Sequence, residues 1–353
     1  MSASRFPTSC RGAGTVAAAG LLLGTLLVPS AQAAPLPAGY TVQVLTSRTG
    51  QAFAVSGSGN PVNDSGLVAG ATTQDGRRRA AVFDLRTRTI RVLDAFAGQI
   101  TAAADVNRTG DVAGTIRYPD ESSRAFLWST RTNLVRTLPG PDGASSSAAA
   151  LNDRGVVVGS VGNEVESRGA VWYTRTGRRQ LLPLERATGV NDAGAVVGHR
   201  VDEIGEETYV RPVLWRPGGL GATTLQALPG DDSAFPSDIS DTGIVVGESH
   251  SLVRDDTITR PVAWPAGRVA PCRLASGAGS GQARAVNDRG QVVGVKVGPT
   301  AARREAPAIW AGCAGPDLLL PVAGDFPVPT GINEAGQVVG GSFAGGLVWT
   351  PRR

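Results

Sequence analysis

One short block recurs seven times along this chain, and its spacing limits the folds that the chain can adopt. The block is clearest at Leu151 to Gly159, which reads Leu-Asn-Asp-Arg-Gly-Val-Val-Val-Gly. Its second position recurs after 44, 45, 39, 49, 47 and 46 residues. A period of about 45 residues is typical of propeller blades rather than of the shorter solenoid repeats. The recurring positions are Asn63, Asn107, Asn152, Asn191, Ser240, Asn287 and Asn333.

Each block predicts a β-hairpin. In a type I turn Asn is favoured at the first position and Gly at the fourth, so Asn-Asp-x-Gly marks a tight reversal between two strands. The third copy shows the complete repeat, because four short strand-like segments follow one another there. Four strands make one propeller blade. The predicted strands are Ser146–Leu151, 156–161, 169–173 and 180–184.

A large aromatic residue follows each Asn position by 16 to 24 residues. All six tryptophans of the chain occupy this position, and a phenylalanine fills it in the remaining copy. One bulky ring per repeat predicts a packing role against a neighbouring blade. The residues are Phe83, Trp128, Trp172, Trp215, Trp264, Trp310 and Trp349.

The two ends of the chain complement each other. Only four residues follow Trp349, so the last repeat lacks a fourth strand, whereas residues 40–46 read as an extra strand before the first block. Pairing the two would remove an open sheet edge that could otherwise bind other chains. The sequence therefore predicts an all-β fold, a seven-bladed β-propeller of four-stranded antiparallel blades that is closed by an N-terminal strand in the last blade.

Residues 1–33 have the pattern of a secretory signal peptide. Arg5 and Arg11 give a basic start, residues 17–28 are apolar but short for a membrane span, and Ala31-Gln32-Ala33 resembles a cleavage site. We predict cleavage after Ala33 and release of residues 34–353, a single propeller domain, outside the cell. No later segment has the length of a membrane span.

The charge balance and the motifs exclude several classes of function. The predicted mature chain has 32 basic and 30 acidic residues, a balance that gives no case for binding nucleic acid. Lys296 is the only lysine, which we interpret as codon bias of a GC-rich bacterial genome. The glycine-rich segment 277–281 precedes no helix that could hold a phosphate, and no His or Cys cluster has metal-ligand spacing. We therefore predict a monomer that binds neither a cofactor nor a metal.

Two cysteines remain after the predicted cleavage. Cys272 and Cys313 follow Trp264 and Trp310 by 8 and 3 residues, so both lie just beyond the aromatic strand in adjacent repeats. An even count in an exported protein favours one disulfide between them, and two free buried thiols are the alternative.

The repeat resembles a known extracellular family of bacteria. The block is followed by Arg-Ala-Phe-Leu-Trp at Arg124 to Trp128 and by Leu-Pro-Gly at Leu138 to Gly140, which is similar to the HAF repeat. Arginine stands where that family has its histidine, here at Arg124, Arg211 and Arg260. The resemblance implies a secreted, propeller-like protein from about residue 40 to the end, and it implies no reaction and no catalytic residues.

The predicted loops divide the charged residues between the two faces of the disk. Connections between second and third strands carry many acids, with the densest group at Asp202, Glu203, Glu206 and Glu207, and with His199 and His250 nearby. We predict this acidic loop face as a site for a cation, a cationic peptide or a sugar, against the alternative that these loops are simply solvated. Arginines collect on the other face, at Arg86, Arg88, Arg91, Arg131, Arg136, Arg175, Arg178 and Arg179.

Three functions follow from these patterns. The first is a non-enzymatic scaffold that binds a carbohydrate, a peptide or a cell-wall component on the acidic loop face or at the channel mouth. The second is an extracellular polysaccharide hydrolase or lyase that uses carboxylates between Asp202 and Glu207. The third is attachment to the anionic cell wall through the arginine-rich face. The sequence identifies no catalytic residue.

Overall fold

Seven four-stranded antiparallel sheets make up the part of the chain that the structure describes. The computed structural model describes residues 33–352 except 97, 164–165, 219–220, 254–255, 276–279, 298–304 and 314. The predicted signal peptide lies outside the described residues except for Ala33. Within the described ranges, no helix has the length and the apolar character needed to span a membrane. Ala31–Arg353 forms one compact unit.

Each sheet is one blade, and six of the seven blades take their four strands consecutively from the chain. Blades 1 and 2 comprise β2 (Ala54–Val55), β3 (Leu67–Gln74), β4 (Arg77–Asp84) and β5 (Thr89–Val92), then β6 (Ile100–Val106), β7 (Asp111–Arg117), β8 (Ser123–Ser129) and β9 (Val135–Leu138). Blades 3 and 4 comprise β10 (Ser146–Leu151), β11 (Val156–Gly162), β12 (Ser167–Tyr173) and β13 (Arg178–Leu181), then β14 (Arg186–Val190), β15 (Val196–Ile204), β16 (Glu207–Arg216) and β17 (Gly221–Thr224). Blades 5 and 6 comprise β18 (Ser233–Ile239), β19 (Val245–Val253), β20 (Asp256–Trp264) and β21 (Cys272–Arg273), then β22 (Gly281–Val286), β23 (Gln291–Val297), β24 (Glu305–Ala311) and β25 (Asp317–Leu319). Blade 7 comprises β26 (Val328–Ile332), β27 (Val338–Ser342), β28 (Gly345–Pro351) and the N-terminal β1 (Tyr40–Val44), and a short 3₁₀ turn, Pro141–Gly143, links blades 2 and 3.

The strands predicted for the third repeat are confirmed with small shifts. The first strand has the predicted bounds, and the second and third are one or two residues longer than predicted. The fourth begins and ends earlier, at Arg178–Leu181. Leu182 and Leu184, which the prediction placed in that strand, pack instead into the core between blades 3 and 4.

Blade 7 closes the ring in the predicted way. β1 pairs with β28 in antiparallel register, from Tyr40 opposite Pro351 to Val44 opposite Leu347. The N-terminal strand thereby becomes the outermost strand of the blade that contains the C-terminal strand. The seven-bladed propeller with this closure is confirmed.

Apolar cores lie between the blades rather than in one central mass. Seven buried clusters occur, and each combines residues of two neighbouring blades, including blades 7 and 1. Each cluster contains the large aromatic residue of the later blade, so that ring packs against the blade before it. Such repetition supplies every blade with a core that no single blade could form alone. The seven rings are Phe83, Trp128, Trp172, Trp215, Trp264, Trp310 and Trp349, and all are buried.

Several tryptophans also join the blades through a hydrogen bond. The indole nitrogens of Trp264, Trp310 and Trp349 donate to the carbonyls of Gln226, Ala275 and Pro321, at 2.9, 2.6 and 2.7 Å. Each acceptor lies just after the fourth strand of the preceding blade. The buried ring is thus satisfied at its one polar atom.

The last glycine of each block is required by a close approach of two strands. A Cβ added to Gly159 would lie 1.9 Å from the Ser147 carbonyl oxygen, and one on Gly340 would lie 2.1 Å from that of Val328. The same contact is 1.9 to 2.4 Å in all seven blades, at Gly70, Gly114, Gly159, Gly198, Gly247, Gly294 and Gly340. The innermost strand therefore rests directly on the backbone of the second strand.

The two cysteines join blades 5 and 6. Cys272 lies in β21, the outermost strand of blade 5, and Cys313 lies in the turn after β24 of blade 6. They form a disulfide with a Cα–Cα distance of 5.7 Å. Both residues pack against the apolar cluster between these two blades, so the covalent bond and the core connect the same pair of neighbours.

Candidate functional site

The Asn-Asp-x-Gly turns meet around the axis of the propeller and form two hydrogen-bonded belts. In the first belt the Asn side chain has two tasks. Its Oδ1 accepts the backbone N–H four residues later, at 2.8 to 3.0 Å in all six asparagines. Its Nδ2 donates to the main-chain oxygen of the corresponding residue in the next blade, at 2.8 to 3.3 Å. The six are Asn63, Asn107, Asn152, Asn191, Asn287 and Asn333.

The second belt is a ring of carboxylates, which we call the carboxylate ring. It consists of the turn residues that follow the Asn position. Each of the six carboxylates accepts the backbone N–H of the corresponding residue in the preceding blade, at 2.6 to 2.9 Å. Arg108 occupies the seventh position. The carboxylate ring comprises Asp64, Asp153, Asp192, Asp241, Asp288 and Glu334.

Two further carboxylates lie beneath the carboxylate ring. Asp105 and Asp238 stand two residues before the Asn position, on the innermost strands of blades 2 and 5, and both are buried. Asp105 accepts the N–H groups of Val106 and of Leu151 in the next blade, at 2.7 and 2.8 Å. Asp238 accepts those of Ile239 and Val286 in the same way, at 2.8 and 3.1 Å. Each side chain therefore joins the innermost strands of two blades.

Burial and mutual repulsion make these acids weaker. Burial raises the pKa of Asp105 to about 8 and that of Asp238 to about 6, against the hydrogen bonds that lower both pKa values. In the carboxylate ring, partial burial and then the neighbouring carboxylates raise the pKa values of Asp192, Asp241 and Glu334. The repulsion between neighbouring carboxylates is the part of these shifts that a bound positive charge would relieve.

A cavity of about 170 Å³ lies between the carboxylate ring and the two buried acids. Residues of all seven blades line it, and it opens at the face of the disk that carries the Asn-Asp-x-Gly turns, which we call the turn face. The local cations are few: Arg108 pairs with Asp153 at 2.9 Å, and Arg289 approaches Glu334 at 3.8 Å. Among the described residues, no group of three or more His, Cys, Asp or Glu side chains has the arrangement of a metal site.

The sequence-predicted acidic cluster has a different structure from the one expected. Asp202, Glu203 and Glu207 were expected in a loop, but they lie in β15 and β16, which pair up to Ile204 opposite Glu207. Only Glu206 lies in the turn at the tip. The strands extend this far because Asp202 faces Tyr209 in continuous register, and its carboxylate is held by Arg200 and Arg211 at 3.0 and 3.6 Å. The cluster is an exposed ribbon and does not line the cavity at the axis.

The two histidines share an aromatic neighbour. The rings of His199 and His250 lie on either side of Phe235, with centroid distances of 5.4 and 5.0 Å. His250 Nε2 is 3.2 Å from a Glu248 carboxylate oxygen, and burial lowers the pKa of His199. His199 precedes Asp202 by three residues in one strand, which separates them by about 10 Å.

The predicted separation of charge between the two faces is wrong in one respect. Arginines do lie on the turn face, but the carboxylate ring occupies its centre. The opposite face also bears arginines, since Arg77 and Arg78 are exposed next to the turn between β3 and β4. The acids of the carboxylate ring were explained from the sequence by the turn alone; their recurrence at one repeat position was the available signal, because equivalent positions meet at the axis of a propeller.

The raised pKa of Asp105 predicts a stability that falls with increasing pH. The unfolded carboxyl ionises near 3.8, whereas the folded one stays protonated up to about 8, so ionisation favours the unfolded state between these values. We expect the free energy of unfolding to decrease from pH 5 to pH 8 by up to about 1.4 kcal/mol per unit. Asp105→Asn should flatten this slope in urea titrations, whereas Asp142→Asn, at an exposed turn, should not. An unchanged slope in Asp105→Asn would contradict the assignment.

Comparison with known proteins identifies the fold. Neither a known protein family nor a curated protein matches the chain in sequence. Solved structures do match. The β-propeller domain of a trilobed protease from Pyrococcus furiosus, with an open velcro topology, has a TM-score of 0.56 at 12% identity over 86% of this chain and 95% of that one. An oligogalacturonate lyase from Vibrio parahaemolyticus has a TM-score of 0.55 at 12% identity over 88% and 97%. TolB from Acinetobacter baumannii has a TM-score of 0.49 at 11% identity over 75% of this chain, which spans 66% of TolB. At such identities the first two likenesses show the propeller fold alone.

Proposed function

We propose that this propeller is a secreted, non-catalytic binding scaffold and that the carboxylate ring holds a cationic group of its ligand. The observation that supports this most directly is the convergence of six carboxylates from six repeats on one mouth, above the buried carboxyl groups of Asp105 and Asp238. Carboxylates gathered at a narrow opening focus the electric field and attract positive charge.

Several of these carboxylates retain an oxygen for a ligand. One oxygen of each accepts a backbone N–H. No hydrogen bond or ion pair within the described residues uses the second oxygen of Asp64, Asp192, Asp241 or Asp288. A charged donor bound there would form charge-assisted hydrogen bonds, which are stronger than neutral ones.

The size of the cavity limits what can enter. A single water molecule needs about 10 to 15 Å³ of such space, so about 170 Å³ accommodates a group of several heavy atoms. An ammonium or guanidinium group is small enough to enter this space. We therefore propose a ligand that inserts such a cationic group, as a basic peptide does, while its remainder lies over the turn face.

The test uses the exported chain from Ala34, with its N-terminus verified by mass spectrometry. Binding of tri-lysine and tri-arginine is measured by calorimetry at low and high salt, with tri-glutamate as the negative control. Asp241→Asn/Asp288→Asn keeps the two acceptor oxygens but removes two charges. We expect this variant to lose about tenfold in affinity, equal to about 1.4 kcal/mol, and wild-type affinity to fall with salt.

A matched variant distinguishes the two acidic regions. Glu203→Gln/Glu206→Gln removes two charges from the exposed ribbon, and we expect it to bind as the wild type does. If it loses affinity instead, the ligand binds on the acidic loop face that the sequence predicted. If neither basic peptide binds the wild type at low salt, the proposal is wrong.

Export and family membership are parts of the same proposal. Residues 1–33 support export through their basic start, apolar run and Ala-x-Ala end. The similarity of Arg124 to Trp128 and of Leu138 to Gly140 to the HAF repeat supports a place in that extracellular family. A mature N-terminus at Ala34 in the culture medium is the expected result for export.

A further inference from the structure

A second site lies on the turn face, at the outer part of blade 3. It is a cleft of about 460 Å³ between the turn that precedes β11 and the turn that joins β12 to β13, and we call it the blade 3 cleft. Its lining includes Arg154 from the first turn, Arg175 from the second, and Arg178 at the start of β13. All three side chains are exposed.

The guanidinium groups of the cleft have few negative partners. Arg178 has a hydrogen bond of 3.4 Å with the neutral amide oxygen of Gln180. Within the described part of the chain, none of the seven salt bridges includes Arg154, Arg175 or Arg178. Arg154 is close enough to Asp192 to oppose the rise in the pKa of that carboxyl group. The three cations of the cleft still repel one another, and a bound anion would relieve that repulsion.

A fourth guanidinium reaches the edge of the cleft from blade 2. Arg136 donates a hydrogen bond from Nη1 to the main-chain oxygen of Thr174, which itself lines the cleft. This contact fixes the position of one arginine independently of any ligand.

The lining of the cleft is largely apolar away from its arginines. Val156 and Tyr173 form this apolar floor, and the guanidinium carbon of Arg178 lies 4.5 Å from the centre of the Tyr173 ring. Such stacking holds the planar group in place while its N–H edge remains available. The hydroxyl of Tyr173 is 3.5 Å from the Gln180 side-chain oxygen, which keeps the ring in its half-buried position.

We propose that the blade 3 cleft binds an oxyanion group of an anionic polymer. The forked donors of arginine fit phosphate and carboxylate oxygens, frequently with two parallel hydrogen bonds. The ring of Tyr173 and the side chain of Val156 supply a surface for the carbon-rich part of the polymer between its charges. The carboxylate ring at the axis repels a polyanion, which confines it to the outer part of the turn face. This site is independent of cation binding at the axis.

The experiment measures binding of inorganic polyphosphate, alginate and uncharged dextran to immobilised wild-type protein. Polyphosphate and alginate distinguish phosphate from sugar carboxylate as the source of the oxyanion. We expect at least one of the two to bind and dextran not to bind. Arg175→Gln/Arg178→Gln should weaken that binding by about tenfold.

The control removes the same charge from the same face. Arg86 and Arg131 are exposed in the equivalent turns of blades 1 and 2, and Arg86→Gln/Arg131→Gln should change the affinity less than about twofold. An equal loss in both variants would show attraction to the whole face and would overturn the proposal, as would the absence of binding by either polyanion. Tyr173→Leu adds a test of the floor, because it should weaken alginate more than polyphosphate.

Discussion

Removal of residues 34–46 is expected to lower the free energy of unfolding by about 5 kcal/mol, which is close to the whole stability of many domains. The deletion takes away β1 and its pairing with β28, and it exposes two apolar clusters at once. Tyr40 packs in the cluster between blades 6 and 7, and Leu45 packs in the cluster between blades 7 and 1. Complete burial of such side chains contributes about 1.5 to 3 kcal/mol each before the strand pairing is added. Urea unfolding followed by tryptophan fluorescence gives the value.

Addition of the missing strand provides the control for this deletion. A synthetic peptide of residues 38–46 should restore the unfolding midpoint of the truncated protein in a concentration-dependent manner. The same peptide with Tyr40→Ser and Leu45→Ser should not, since it can pair with β28 but cannot fill the two clusters. A truncated protein with the midpoint of the full chain would show that closure contributes nothing.

Gly340→Ala is expected to lower the free energy of unfolding by about 3 kcal/mol, which is at the upper end of the usual destabilisation by overpacking. The added Cβ would lie 2.1 Å from the Val328 oxygen and 2.8 Å from the Pro329 Cα, and both are backbone atoms that cannot rotate away. Relief requires the innermost strand of blade 7 to move away from the second strand.

The neighbouring glycine is a matched control. Gly341 lies in the same strand, and a Cβ placed there has no heavy atom within 4 Å. Gly341→Ala should therefore change the free energy of unfolding by less than about 0.5 kcal/mol. Equal effects of the two substitutions in urea titrations would mean that strand propensity, and not the close approach, decides the cost.

The repeat predicted the fold well because its signals are local. Asn and Gly at fixed positions define a turn, one aromatic per repeat defines a buried row, and the surplus strand at 40–46 matches the missing one in blade 7. The role of the last glycine in each block was not predicted, because the carbonyl that it contacts belongs to the neighbouring strand of the hairpin. The contact distance depends on how closely these two paired strands approach each other.

The candidate site was predicted poorly because it is assembled from distant residues. Asp192 and Asp241 are 49 residues apart in sequence but are joined by a hydrogen bond of 2.6 Å, whereas Asp202 and Glu207 are close in sequence and lie outside the cavity at the axis. Acids that are close together in sequence therefore pointed to the ribbon. Acids that are close together in space, around the axis, form the carboxylate ring. Only the second depends on the closure of the propeller.

The belt of turns has a further consequence for how such a protein can change in evolution. Each turn accepts hydrogen bonds from the blade before it and donates hydrogen bonds to the blade after it. The same atoms are used in successive repeats, so each repeat carries both the donors and the acceptors that join neighbouring blades. A duplicated or deleted repeat would find compatible partners on either side. Ser240, which lacks the amide of the six asparagines, shows that one joint can lose a bond while the ring stays closed. These repeated hydrogen bonds between neighbouring turns thus allow blades to be duplicated, lost or diversified one at a time.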